Sequence, residues 1–178
     1  MPGRGAQSIA RRAGRQAGFT LIELMIAVVV MAVLATVAAY AYKGHLRETR
    51  VLDAKQVLNR IKVQQEVYFQ KHRSYVSAQY HPPLHTDYAA KPWTPLPADW
   101  ANLGLSFPGD GTTYFSFRTV GFAVSGGDAI SMQLGLNSAI PSFYVMATGD
   151  MDGSPATQPM SIVIDSQSAK VLITNEGQ

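Results

Sequence analysis

The sequence predicts an α+β protein: a long N-terminal α-helix, apolar in its first half, whose C-terminal half packs on an antiparallel β-sheet. Three observations predict it. Residues 19–42 form an apolar run with Glu23 as the one charged side chain. A helical periodicity continues beyond that run without a stop, and the chain after a proline-rich stretch reads as successive short strands. Strands that follow a helix in a block imply segregated α and β layers rather than alternating βαβ units. A chain of 178 residues, 47% hydrophobic and 15% charged, suits one modest domain plus an extra apolar segment.

The elements follow in order. Residues 1–18, MPGRGAQSIARRAGRQAG, carry Arg4, Arg11, Arg12 and Arg15 and no acid; such a flank stays on the cytoplasmic side and directs the next helix outward. Residues 19–42 are long enough to cross a hydrocarbon core, which takes roughly 20 apolar residues. Residues 43–73 are amphipathic, with Val51, Ala54, Leu58, Ile61 and Tyr68 on one face and Arg47, Lys55, Arg60 and Lys62 elsewhere. Gly44 is a weak interior breaker and no proline falls between residues 3 and 81. One helix from about Phe19 to about His72 results, roughly 80 Å long at 1.5 Å per residue. A small head cannot cover such a rod, so its apolar half must lie in lipid or against other copies.

Residues 74–111 form a connecting loop, and five of the ten prolines fall within residues 82–97, with Trp93 and Trp100 interleaved. That composition excludes helix and interior strand. Residues 112–178 make the sheet, with strands expected at 112–124, 129–136, 142–149, 160–165 and 169–174 and a tight hairpin turn at 166–168. Tyr114, Phe115 and Phe117 alternate along the first of these, so half of that set belongs in the core. There is no cysteine, so no disulfide secures the exported part. Charge is divided unevenly: residues 43–73 hold eight basic and three acidic side chains, residues 74–178 three and eight. A basic stalk carries an acidic head.

The stretch Gly18-Phe19-Thr20-Leu21-Ile22-Glu23-Leu24, preceded by a short basic leader and followed by an apolar helix, resembles the prepilin signal of type IV pilins and the related pseudopilins. Trp100, Leu103, Gly104, Pro108 and Gly111, followed by a strand, resemble the region after the αβ loop of some pilin-like proteins. The resemblance implies a pilin-like fold and cleavage between Gly18 and Phe19 by an intramembrane aspartate peptidase. The same enzyme methylates the new amino terminus on Phe19. Glycine suits the cut, because a backbone without Cβ enters a tight site in extended form.

The resemblance also gives Glu23 a role. A carboxylate in the bilayer costs about 2.5–3.5 kcal/mol on insertion scales, and an ammonium at a helix N-terminus opposes the helix dipole, so each relieves the other. By resemblance the partner of Glu23 is the Phe19 amine of a neighbouring subunit. The residues alone leave pairing within one chain open, since Phe19 and Glu23 are one helical turn apart. Small residues, Ala27, Ala32, Ala35, Ala38 and Ala39, would let such helices approach closely in a filament core. Many pilins carry a helix-breaking glycine and proline pair where this chain has Ala32 and Tyr40, so a continuous helix is expected here.

Other candidates take plainer readings. The basic stretch 43–73 is read as a solvated face, or one neutralised by acidic heads of adjacent subunits, in preference to a DNA-binding surface. Asp150 and Asp152 in the turn at residues 149–154 are candidate calcium ligands. A glycine-rich turn without metal is preferred, because no acid follows at the distance an EF-hand requires. His81 and His85 have a ligand-like spacing, but Pro82 and Pro83 intervene, and both are read as surface loop histidines. No cysteine nucleophile, G-x-S-x-G elbow, Walker loop or dinucleotide fingerprint occurs. A non-catalytic protein without a cofactor is expected.

The function implied is a major or minor structural subunit of a type IV pilus serving adhesion, twitching motility or DNA uptake. It would sit in the inner membrane as a single pass with a cytoplasmic N-terminus before assembly. Its partners would be other pilins, the prepilin peptidase, an inner-membrane assembly platform and a cytoplasmic ATPase. Residues 82–110 and the final hairpin are candidates for subunit contacts or adhesion. One alternative is a pseudopilin of a type II secretion system in a periplasmic pseudopilus. A second, from another class, is a soluble secreted binding module with a conventional signal cleaved after Ala39-Tyr40-Ala41.

Overall fold

The computed structural model describes residues 18–84, 89–105, 111–123, 128–137, 139–151, 159–168 and 171–175. The chain divides into two compact units, Met1–Gly44 and His45–Gln178. Helix α1 runs from Leu21 to His72, beginning two residues later than the apolar run. It is helical throughout residues 32–40, as the absence of glycine and proline there leads one to expect. Within the first unit every described residue is exposed, including Leu21 at 84% and Met31 at 68%. The Thr36 hydroxyl, the polar exception in that stretch, donates to Val33 O at 2.7 Å and so satisfies itself inside the helix.

The second unit holds the core. Its further elements are β1 (Ala78–His81), β2 (Lys91–Pro92), α2 (Ala98–Ala101), β3 (Thr112–Thr113), β4 (Ser116–Phe122), α3 (Ala129–Leu134), β5 (Ser142–Gly149), β6 (Met160–Asp165) and β7 (Val171–Thr174). Strands β1, β4, β5, β6 and β7 form one sheet in the order β1-β4-β5-β6-β7, antiparallel throughout, while β2 and β3 pair separately. The predicted α+β class is the observed one. Val51, Ala54, Leu58 and Ile61 of α1 are buried in one cluster with Phe117, Phe143, Val145, Ala147 and Ile162 of the sheet. Tyr68 is only half-buried, and Gln65 takes the fully buried position two turns before the helix end. The helix stops at Arg73, whose φ of 55° is left-handed and whose N–H reaches Phe69 O at 2.8 Å. Lys71 and His72 in the last turn complement the dipole.

Strand β5 is buried along its whole length, the mark of a central strand covered on both faces. Phe143, Val145 and Ala147 join the cluster with α1, and Tyr144 and Met146 enter a second cluster with Val163, Val120, Ile130 and Leu134. Gly121 is fixed by crowding: a Cβ there would stand 2.8 Å from both the carbonyl carbon and oxygen of Tyr75. Asp165 shapes the β6–β7 turn, accepting from Gln167 N and Ser168 N on Oδ1 and from the Ser168 hydroxyl on Oδ2.

Four sequence readings are corrected. The segment 129–136 is not a strand but α3 and its cap: the Asp128 side chain accepts from Ser131 N at 2.8 Å, and Gly135 closes the helix with φ 68°. The expected strand at 112–124 is two elements, β3 and β4, separated by Tyr114 and Phe115, with Thr113 Oγ1 accepting from Phe115 N. The region 74–111 is not a loop throughout: it supplies the edge strand β1, the short β2 and the one-turn α2. Trp100 Nε1 donates to Gln79 O at 2.9 Å and covers that edge. Finally, His81 is not a surface loop residue. It ends β1, is buried, lies 2.7 Å from Trp93 O through Nε2 and meets the Trp93 ring edge-on.

The second cluster has a polar anchor. The Tyr144 hydroxyl donates to Asp128 Oδ2 at 2.7 Å, tying α3 to the sheet. Burial pushes the Asp128 carboxyl up, but hydrogen bonds from Ser131 and Tyr144 and the Arg118 charge outweigh it and hold the group below its ordinary value. Burial, reinforced by the Asp128 bond and charge, holds the Tyr144 phenol well above its ordinary value. The signs give two limits. A raised phenol pKa stabilises the fold below the unfolded value of about 10, and that contribution fades as pH rises through the folded value. A depressed carboxyl pKa does so above about 3.9, fading as pH falls below it. Tyr144→Phe should therefore flatten the alkaline limb of a stability–pH curve, measured by chemical denaturation above about pH 10. An unchanged limb would remove Tyr144 as its source.

Candidate functional site

The N-terminal residues singled out by the sequence come together at the start of α1. Gly18, Phe19 and Thr20 precede the helix and are exposed, Phe19 at 89%. Among the described residues, its chain neighbours aside, no atom lies within 4 Å of where a Gly18 Cβ would stand. Residues 1–17, with the four leader arginines, lie outside the described residues.

Glu23 is not a bare carboxylate. The backbone N–H of Thr20 donates to Glu23 Oε2 at 2.9 Å, the Thr20 hydroxyl donates to the same oxygen at 2.9 Å, and the Thr20 hydroxyl oxygen accepts from Glu23 N at 3.3 Å. Thr20 is the N-cap, Glu23 occupies the third helical position, and the pair forms a capping box. Two N–H groups that a helix start leaves without partners are thereby satisfied, in a segment where lipid offers none. The sequence signal, Thr-x-x-Glu ahead of an apolar run, is present, and the cap formed by Thr20 is a feature that the sequence reading passed over. Both Thr20 donors converge on Oε2, which leaves Oε1 to accept from a further donor. Cleavage between Gly18 and Phe19 would not disturb this arrangement, because the Thr20 amide survives it.

Beyond the cap, α1 is long and apolar enough to cross a membrane. Fully burying a large apolar side chain contributes about 1.5–3 kcal/mol, and residues 21–37 expose Leu21, Ile22, Leu24, Met25 and a succession of valines. Such a surface fits membrane anchoring. Of the remaining candidates, Asp150 is buried immediately after β5, while Asp152 and His85 lie outside the described residues. Among the described residues no group of three or more histidines and carboxylates converges to hold a metal.

An apolar helix start behind an exposed Gly–Phe bond and a capped glutamate fits a membrane-anchoring segment. Comparison with known proteins makes the class specific: residues 14–39 match the model of the prokaryotic N-terminal methylation motif. That motif is the type IV prepilin signal, and it supports the pilin and pseudopilin class of structural proteins. Neither the curated proteins nor the solved structures compared with the chain give a match. The motif implies processing by a prepilin peptidase and assembly with other pilins, and the apolar helix fits membrane anchoring before assembly.

Proposed function

We propose that this chain is a structural subunit of a type IV pilus, matured by cleavage between Gly18 and Phe19 and methylated on the Phe19 nitrogen. The observation that carries the proposal is the exposed apolar part of α1 up to Tyr42, with Glu23 as its only charge. Such a surface is stable in lipid or against its own kind. Cleavage removes the leader's arginines, which would otherwise hold the N-terminus at the cytoplasmic face. The new amine then lies one helical turn from Glu23, whose Oε1 accepts the ammonium of an incoming subunit while Oε2 keeps the Thr20 cap. The ion pair registers one subunit against the next, and close packing at the alanines supplies the remaining contact.

Mass spectrometry of the mature protein, from cells with and without the prepilin peptidase, tests the maturation step. The expected first residue is N-methylated Phe19, lost when the peptidase is absent. A mature start at Tyr42 would mean the helix is discarded, and the filament reading would fall with it. Imaging of filaments on cells then separates pilus from pseudopilus: surface filaments lost with the gene, together with adhesion or twitching, support the pilus, whereas loss of protein secretion alone overturns it.

A further inference from the structure

Strand β7 lies at one end of the five-stranded sheet, with β6 on its inner side. An edge strand leaves alternate N–H and C=O groups pointing away from the sheet, and another extended backbone is what satisfies such a row. Among the described residues no backbone hydrogen bond other than those to β6 reaches residues 171–174. The edge is also unguarded. Val171, Leu172, Ile173 and Thr174 include no proline and no charge, and their register with β6 runs without a shift from Thr174 opposite Ser161 to Val171 opposite Ile164. Val171 is 47% exposed. The opposite edge, β1, is protected: its register with β4 shifts between Ala78 and His81, and Trp100 covers it through the bond to Gln79 O.

These features identify the occupant as β7 of a second copy. A protected β1 takes no partner strand, so copies cannot join head to tail through β1 and β7, and the edge this sheet offers is β7 itself. Antiparallel self-pairing also suits the pleat. A two-fold axis perpendicular to the sheet sets one residue opposite its own copy, and opposed side chains fall on the same face. Leu172 packs on the cluster around Tyr144 and Ile173 on the cluster with α1, so each would continue its own face across the axis. In chain order Lys170 precedes the strand and Glu176 follows it. The antiparallel direction therefore sets the basic end of one copy against the acidic end of the other, whereas the parallel direction opposes like ends. Four residues a side bury far less than the roughly 1,200 Å² of a self-sufficient interface, so the contact joins copies already held close.

We propose that β7 is a self-pairing edge, through which two copies of this chain join their sheets by antiparallel β7–β7 hydrogen bonds across a two-fold axis. Such a contact closes on itself, so it links subunits in pairs and does not propagate a filament. Its residues all belong to the second unit, and it stands whether or not the pilus reading does.

The chain has no cysteine, so an introduced one reports contact with its own copy. Val171, Leu172, Ile173 and Thr174 are each changed to cysteine in the full-length protein in detergent micelles, and disulfide dimers are followed under mild oxidation. Met132→Cys, at an exposed position of α3, measures random encounter. A residue opposite its own copy has Cα atoms about 4.5–5.5 Å apart, within disulfide reach, whereas its neighbours stand more than about 7 Å from theirs. Either Leu172→Cys or Ile173→Cys should therefore cross-link about tenfold faster than Val171→Cys, Thr174→Cys and Met132→Cys. Adding Val171→Lys places like charges near the axis and should slow that reaction about tenfold. A flat profile over the four positions, a best position no faster than Met132→Cys, or an unchanged rate with Val171→Lys would each overturn the proposal. Where a cysteine variant melts early, amide exchange of the wild type decides. The β7 amides should exchange more slowly at high than at low protein concentration, and equal exchange overturns the pairing.

Discussion

Glu23→Leu is expected to abolish filament assembly while leaving membrane insertion and cleavage after Gly18 intact, and Glu23→Gln is expected to do nearly the same. The pair of variants separates the observed cap from the proposed ion pair at one side chain. Leucine removes both the cap and the charge. Glutamine serves as well as glutamate at the third position of a capping box, so it keeps the bond from Thr20 N and forfeits only the ion pair. Loss of the proposed pair removes the contact that registers one subunit against the next, so subunit addition should fall steeply with either variant. Thr20→Val makes the opposite cut, losing the hydroxyl cap at about 1 kcal/mol and keeping the charge; it should leave filaments reduced but present. Sheared filaments are quantified against total processed subunit. Wild-type filament yield from Glu23→Gln would show that position 23 supplies a helix cap and no ion pair.

What the sequence disclosed follows from how local each determinant is. Helix α1 was readable because Val51, Ala54, Leu58 and Ile61 repeat at helical spacing, and β5 to β7 because each is a short, mainly apolar and β-branched segment between turn residues. Residues 129–136 misled for a definable reason: Ile130, Met132, Leu134 and Leu136 alternate as a strand would, but Met132 is exposed and Ser131 is buried. The cap at Asp128 and the left-handed Gly135 decide the matter, and both are signals of the helix ends rather than of its periodicity. Strand β1, with the sequence AQYH, has no apolar pattern, and only its pairing with β4 makes it a strand. His81 followed the same logic, since a polar residue beside two prolines is buried only because Trp93 O, twelve residues on, comes within hydrogen-bond reach. At the N-terminus the motif delivered Gly18, Phe19 and Glu23 but not Thr20. That β7 is left at an edge follows from the sheet order, which no local pattern encodes.

The same nonlocality makes Gln65 the most consequential side chain in the second unit that the sequence reading passed over. Its relative exposure is 0%. Nε2 donates to Val76 O at 2.7 Å and to Thr119 Oγ1 at 2.7 Å, while Oε1 accepts from Val76 N at 2.9 Å. Thr119 in turn donates to Tyr144 O at 3.3 Å, so one amide links α1 to the segment leading into β1, to β4 and to β5. Gln65→Leu preserves approximate volume and removes every one of those bonds, leaving the Val76 N–H and C=O buried without them. Each orphaned group costs about 1–3 kcal/mol, so a loss of about 2–4 kcal/mol is expected, in line with the larger single-site effects. Gln65→Glu should be worse at neutral pH, since a buried carboxylate cannot donate to Val76 O. It should recover partly in acid, because a carboxyl whose pKa burial raises in the folded state destabilises the fold above its unfolded value and less as pH falls. Chemical denaturation of the full-length protein in micelles, followed by tryptophan fluorescence, measures both. A Gln65→Leu variant within about 0.5 kcal/mol of wild type would mean that this bridge is dispensable and that the apolar cluster alone holds helix to sheet.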